Sequence, residues 1–181
     1  FVAVIDLATE EEIVDARLDV NDRDMIQPAT LSPLGDLFFV ASTGGDTVTV
    51  FDSETGLRVS QLDVGAAPMG IQLNADGSRL AVYNHVDRSV STFDTGALVA
   101  GLDNLIAPIA TVSVVESERL SAEVLLGKRV FHHAGDRRMS RDGYISCASC
   151  HFEGGEDGQV WDFTQGGEGL RNPITLRGRA G

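Results

Sequence analysis

Leu31-Ser32-Pro33-Leu34-Gly35 and Leu73-Asn74-Ala75-Asp76-Gly77 stand 42 residues apart and read as two copies of one unit. The same offset pairs Val40 with Val82, Val48 with Val90, and Phe51-Asp52 with Phe93-Asp94. In the first copy, Leu37-Phe38-Phe39-Val40-Ala41 and Thr47-Val48-Thr49-Val50-Phe51 are β-branched and aromatic runs of the kind that form strands. Thr43-Gly44-Gly45-Asp46 between them is a turn cluster. Asp52-Ser53-Glu54-Thr55-Gly56 makes the next turn, Leu57 to Leu62 the next strand, and Pro68-Met69-Gly70-Ile71 opens the following unit. A partial third copy begins at Val4-Ile5-Asp6, ahead of a strand-like stretch from Glu12 to Val20. A period near 42 with four short strands per unit predicts propeller blades, with Phe38, Phe39, Phe51 and Phe93 in their core.

Asn74-Ala75-Asp76-Gly77 and Ala81-Val82-Tyr83-Asn84 resemble the turn and strand signatures of YVTN-type β-propeller repeats, over about residues 1–100. Propellers close with roughly 4–8 blades, whereas about two and a half are legible here. An open stack leaves unpaired strand edges. The expectation is that the remaining propeller blades lie outside this chain, which begins at Phe1 within a longer protein or after processing; several copies closing a ring is the alternative. His85, near a strand end, is expected to be an exposed loop residue.

The repeat breaks between Asn104 and Ser117, where Pro108 interrupts it, and Thr111 to Val115 is expected to lead out of the propeller. A helix fits Ser121 to Phe131, with Leu120, Val124, Gly127 and Phe131 on one face and Ser117 or Ser121 as its cap. After a polar loop comes Cys147-Ala148-Ser149-Cys150-His151, which contains the chain's two cysteines. C-x-x-C-H is the spacing of c-type haem attachment: two thiols take the vinyl groups as thioethers, and the adjacent imidazole reaches the iron. A redox dithiol would call for a βαβ context that is not visible here. No further Cys or paired His completes a tetrahedral zinc set. Made without haem-attachment machinery, the two cysteines would be free thiols or a disulfide.

The predicted fold class is mixed. Residues 1–113 are read as incomplete all-β propeller blades, and 114–181 as a small, mainly α-helical cytochrome c-like domain. Charge separates the two parts: residues 1–116 hold 18 Asp and Glu against 5 Arg, while residues 117–181 hold 9 of each sign. An acidic first half argues against nucleic acid or an anionic membrane as partner. With 43% apolar and 23% charged residues the chain is globular in character, and no run of 18 apolar residues predicts a membrane span. Lys128 is the sole lysine against 13 arginines, whose forked heads suit haem propionates.

Leu126-Gly127-Lys128-Arg129-Val130-Phe131, Asp142 to His151, and Arg171-Asn172-Pro173-Ile174-Thr175-Leu176 follow in the order of the first haem domain of bacterial di-haem cytochrome c peroxidases and the related methylamine-utilisation di-haem enzymes. The resemblance implies one covalent haem c held by Cys147 and Cys150, with His151 as proximal ligand of the iron. It also implies haem contacts from Arg171, Asn172 and Trp161. Trp161 is equally a candidate for plain core packing. A second haem and the catalytic groups would lie beyond Gly181, so the catalytic residues are unknown and the fragment alone would be inactive. The family's second C-x-x-C-H is absent, and Glu153 to Gly169 offers no distal His. Met139, His132 and His133 are the alternatives for a distal ligand; Met139 suits gap-filling better, and both His suit the negative end of the helix dipole.

Three functions compete on this reading. The leading one is an oxidoreductase or electron-transfer protein, part of a di-haem peroxidase-like enzyme with an electron-donor protein or second haem domain as partner. The second is a non-catalytic mono-haem electron carrier. The third is a surface or periplasmic binding protein led by its propeller. Thioether attachment implies a periplasmic, extracellular or cell-surface setting in a bacterium.

Overall fold

The computed structural model describes residues 2–18, 20 and 24–178. Two four-stranded antiparallel sheets carry the repeat. The first contains β3 (Ile26–Leu31), β4 (Leu37–Ser42), β5 (Thr47–Asp52) and β6 (Arg58–Asp63), paired in that order. The second contains β7 (Pro68–Leu73), β8 (Arg79–Asn84), β9 (Ser89–Asp94) and β10 (Ala107–Ser113), again in sequence order. A hairpin of β1 (Ile5–Asp6) and β2 (Glu11–Glu12) stands before them as half a blade. Two blades and a half-blade agree with the partial propeller read from the sequence.

The 42-residue offset has a physical basis in the turns. Ser32 accepts the amide of Gly35 and Asn74 that of Gly77, both glycines lying at φ near +70° (76° and 72°), where a side chain is strained. The first three strands of each blade therefore start 42 residues apart. The fourth do not, because the one-turn helix α1 (Gly96–Val99) and its loop lengthen the second unit. This corrects the sequence reading of Thr111 to Val115: the strand runs from Ala107 to Ser113 and pairs with β9 as the outermost member of the second blade. The stretch from Glu12 to Val20 is likewise not one strand. A 3-10 turn (Val14–Ala16) breaks it, Leu18 returns to pair with Val2, and residue 19 lies outside the described residues.

Alternation along β4 builds the core. Leu37, Phe39 and Ala41 face the second blade and meet Leu73, Leu80, Val82 and Phe93, with Leu98 of α1 closing the cluster. Val40 and the partly buried Phe38 face the other way, against Leu18, Val20 and Phe51. Both faces of the first blade are thus buried, the pattern of a blade inside a stack. Asn84, wholly buried, accepts the Gly65 amide and donates to Ser89 and Ser91, so its polar atoms are matched.

Beyond Ser113 regular structure thins out. The segment holds α2 (Ala122–His132), the single turn α3 (Cys147–Cys150), and a hairpin of β11 (Trp161–Phe163) with β12 (Gly169–Arg171). It is less helical than expected. Left-handed glycines at 143, 154, 158, 167, 169 and 178 recur through it, and such residues break helices.

Candidate haem-attachment site

Ser121 caps α2, its side chain accepting the Val124 amide at 3.3 Å, which selects one of the two caps proposed from sequence. Glu123 lies in the first turn, and Arg129 and His132 in the last, as the helix dipole favours. His132 donates from Nδ1 to the Lys128 carbonyl at 2.9 Å, the capping role expected of it. His133 stands at the C-cap, its amide donating to the Arg129 carbonyl at 3.0 Å. Its Nδ1 reaches Asp46 Oδ2 at 3.1 Å, in the turn between β4 and β5. Of the face read from sequence, Leu120 and Phe131 are half-buried while Val124 and Gly127 are exposed; Leu125 and Lys128 are half-buried as well.

Further bonds join this segment to one end of the blades. Arg129 pairs with Asp87 at 2.7 Å. The Ala134 amide donates to the Gly44 carbonyl at 2.8 Å, Arg88 pairs with Glu118 at 3.0 Å, and Ser149 donates to Asp24 Oδ1 at 2.5 Å. Sequence reading singled out none of Asp24, Asp46 and Asp87. Their only signal is an acid in or beside a turn, which every surface turn shares. His85 is half-buried rather than exposed, its ring 6.0 Å from that of His132. Burial, then the cations Lys128, His132 and Arg88, push its pKa down.

The attachment motif lies on one helical turn. Ser146 precedes it in a reciprocal capping box with Ser149, whose Oγ accepts the Ser146 amide at 2.8 Å. The His151 amide closes the turn on the Cys147 carbonyl at 3.0 Å. Both cysteines are free and half-buried, with Ala148 buried between them. Burial first, then Asp157 and Asp24, raises the Cys150 thiol pKa. His151 Nδ1 lies 3.2 Å from the Gly155 carbonyl. A carbonyl only accepts, so Nδ1 is the donor in this contact and Nε2 is the nitrogen left to face a metal.

The chain after the motif folds back on it. Leu176 donates its amide to the Gly154 carbonyl at 2.8 Å, and Arg177 Nε donates to the Glu153 carbonyl at 3.0 Å. Trp161 and Arg171 are direct partners across the β11–β12 hairpin. The Trp161 indole donates to Asp157 at 2.7 Å, and Asp157 is close enough for its charge to bear on Cys150. Arg171 is exposed and paired with Glu168, Asn172 is exposed beside it, and Met139 is exposed in the loop before the motif.

The residues present fit a haem. Two thiols and an imidazole lie together at one turn. Among the described residues after Ser113, Ala134 and Ala148 are the only buried apolar side chains, while Tyr144, Phe152, Phe163, Ile174 and Leu176 remain exposed. That is the distribution of a segment whose apolar side chains have an apolar cofactor to cover.

The chain thus couples propeller-type blades to a segment with the makings of a haem domain. Residues 121–180 match the family model of di-haem cytochrome c peroxidase. Among solved structures, the chain is similar to hydrazine synthase of Kuenenia stuttgartiensis, at 27% identity over 48% of this chain and 22% of that one, with a TM-score of 0.40. It is similar to the dihydro-heme d1 dehydrogenase NirN, at 20% identity over 64% and 22%, with a TM-score of 0.48. It is also similar to a periplasmic gluconolactonase of Pseudomonas aeruginosa, at 21% identity over 51% and 28%, with a TM-score of 0.42. In these three the chain spans between 22% and 28% of the matched structure's length. No curated protein matches the chain. No helix among the described residues is long and apolar enough to cross a membrane.

Proposed function

We propose that this chain is the junction of a di-haem cytochrome c peroxidase-like oxidoreductase, in which propeller blades precede the first haem module. The observation that carries it is the single turn holding Cys147, Cys150 and a His151 whose Nε2 is free. One haem c is bound through both sulfurs, and His151 is its proximal ligand. Bound haem supplies one-electron redox chemistry, and peroxide binding where its sixth position stays open. The Gly155 carbonyl holds the His151 ring and its tautomer. Trp161 and Arg171 of the β11–β12 hairpin, and Asn172 after it, line the haem. The distal ligand comes from Met139, His132 or His133, or is absent. Residues 1–113 are blades and 114–181 the haem module, in a periplasmic or extracellular setting. Partners are the remaining blades, which cover the outer face of the second blade, and an electron-donor protein or second haem domain.

The test is the chain matured in a haem-attaching host, read by a reduced pyridine adduct spectrum and an intact mass. One haem of added mass with a c-type spectrum supports the proposal, and none overturns it. A low-spin spectrum indifferent to cyanide and peroxide would instead favour the mono-haem carrier, the second reading.

A further inference from the structure

Asp24 is a buried carboxylate contributed by the blades, only 5% exposed, and it touches the attachment turn. Its backbone is fixed from the first blade: the Ser42 hydroxyl donates to its carbonyl at 2.9 Å, and the Thr43 amide donates to the neighbouring Met25 carbonyl at 3.1 Å. Its side chain lies over Gly44, so closely that a Cβ there would collide with Oδ2. Oδ1 accepts the Ser149 hydroxyl at 2.5 Å, the short range of hydroxyl-to-carboxylate bonds. Oδ2 is buried without a hydrogen-bond partner among the described residues.

An orphaned buried acceptor is destabilising. Asp24 holds one oxygen bare and gives the other to Ser149, one of the two residues between the cysteines. Ser149 has one proton. With that proton committed to Asp24, its oxygen is left to accept the Ser146 amide at 2.8 Å, which starts the turn. A bond from 125 residues away thus holds the side chain that caps the haem-attachment turn.

We propose that Asp24 is a positioning residue for the haem: from the blade it orients Ser149, fixes the turn from Ser146 to His151, and places a carboxylate beside the Cys150 attachment point. This rests on the haem reading above. A carboxylate held near the haem favours the oxidised state, so its removal raises the midpoint potential.

The test compares Asp24→Asn, Ser149→Ala and Asp87→Asn in the haem-matured full chain. Midpoint potential is read by spectroelectrochemistry, and amide hydrogen exchange over residues 146–151 by mass spectrometry. Asp24→Asn is expected to raise the potential and Ser149→Ala to hasten exchange in the turn at least tenfold. Asp87→Asn, which breaks a different tie between blades and α2, is expected to change neither. An unchanged potential in Asp24→Asn, or an equal shift in Asp87→Asn, overturns the proposal. Should Asp24→Asn fail to fold, Ser149→Ala decides, since retained protection of the turn would sink the idea. Should the parent chain carry no haem, the haem reading fails visibly, and exchange in the haem-free chain still judges the Asp24–Ser149 tie.

Discussion

Asp46 and Asp87 do the same work on adjacent blades. Each gives one carboxylate oxygen to an amide of the linker between the blades: Asp46 to Ala67 at 2.8 Å, Asp87 to Ala66 at 2.7 Å. Each gives the other oxygen to a side chain from the end of α2, His133 for Asp46 and Arg129 for Asp87. The same two carboxylates thus hold blade to blade and blades to haem segment.

The Arg129–Asp87 pair is half-exposed, so its own contribution is small. Arg129→Ala should lower stability by about 0.2–1 kcal/mol, and the deficit should shrink in high salt. Denaturant titrations at two ionic strengths would check both statements.

Asp46 is shifted in the opposite direction from Glu12, Asp52, Asp76, Asp136, Asp157 and Asp162, which are all lowered. Burial is the main cause that raises its pKa above the usual value, despite the Ala67 amide and His133. The folded state therefore holds this proton more tightly than the unfolded chain, and the stabilisation present below the unfolded pKa is lost as pH rises through the raised folded value. Asp46→Asn should gain on the parent as pH rises from about 3 towards neutrality. Melting temperatures across that range that run in parallel would refute this.

Asp136 behaves conventionally. The Arg138 guanidinium grips both its oxygens and holds its pKa down at about 2. Its contribution is present above the unfolded carboxylate pKa and lost as pH falls towards 2. Asp136→Asn should flatten the acid limb of the stability profile and leave the neutral limb's slope alone, as melts between pH 2 and 7 would show.

Phe39 is wholly buried between the two blades. Phe39→Ala should cost about 3–5 kcal/mol. Loss of blade structure by circular dichroism, at a denaturant concentration the parent tolerates, is the expected reading.

His151→Ala should separate attachment from ligation. Both thiols remain, so covalent haem persists by mass, while the absorption spectrum loses its His-ligated form. An unchanged spectrum would show that another residue holds the iron.

The blades were legible because their physics is local. A glycine needed at positive φ recurs at 35 and 77, and alternating strand residues such as Phe39 and Val82 recur between the turns. The attachment turn was legible for the same reason, being five consecutive residues. What escaped was non-local. Nothing in the neighbourhood of Asp24 announces Ser149, nor does Asp46 announce His133. Ala107–Ser113 was misplaced because an inserted helix disturbs the period just before it. The helix face around Val124 was misread because periodicity marks an apolar stripe without saying whether protein or cofactor covers it.

β4 is buried on both faces, whereas the segment after Ser113 is joined to the blades mainly by polar ties. The two parts must therefore yield to heat and proteases separately. A protease cutting in the exposed stretch from Val114 to Arg119 would sever the covalent link and leave the blade core intact, so that sheet content outlives the tether that positions the cysteines.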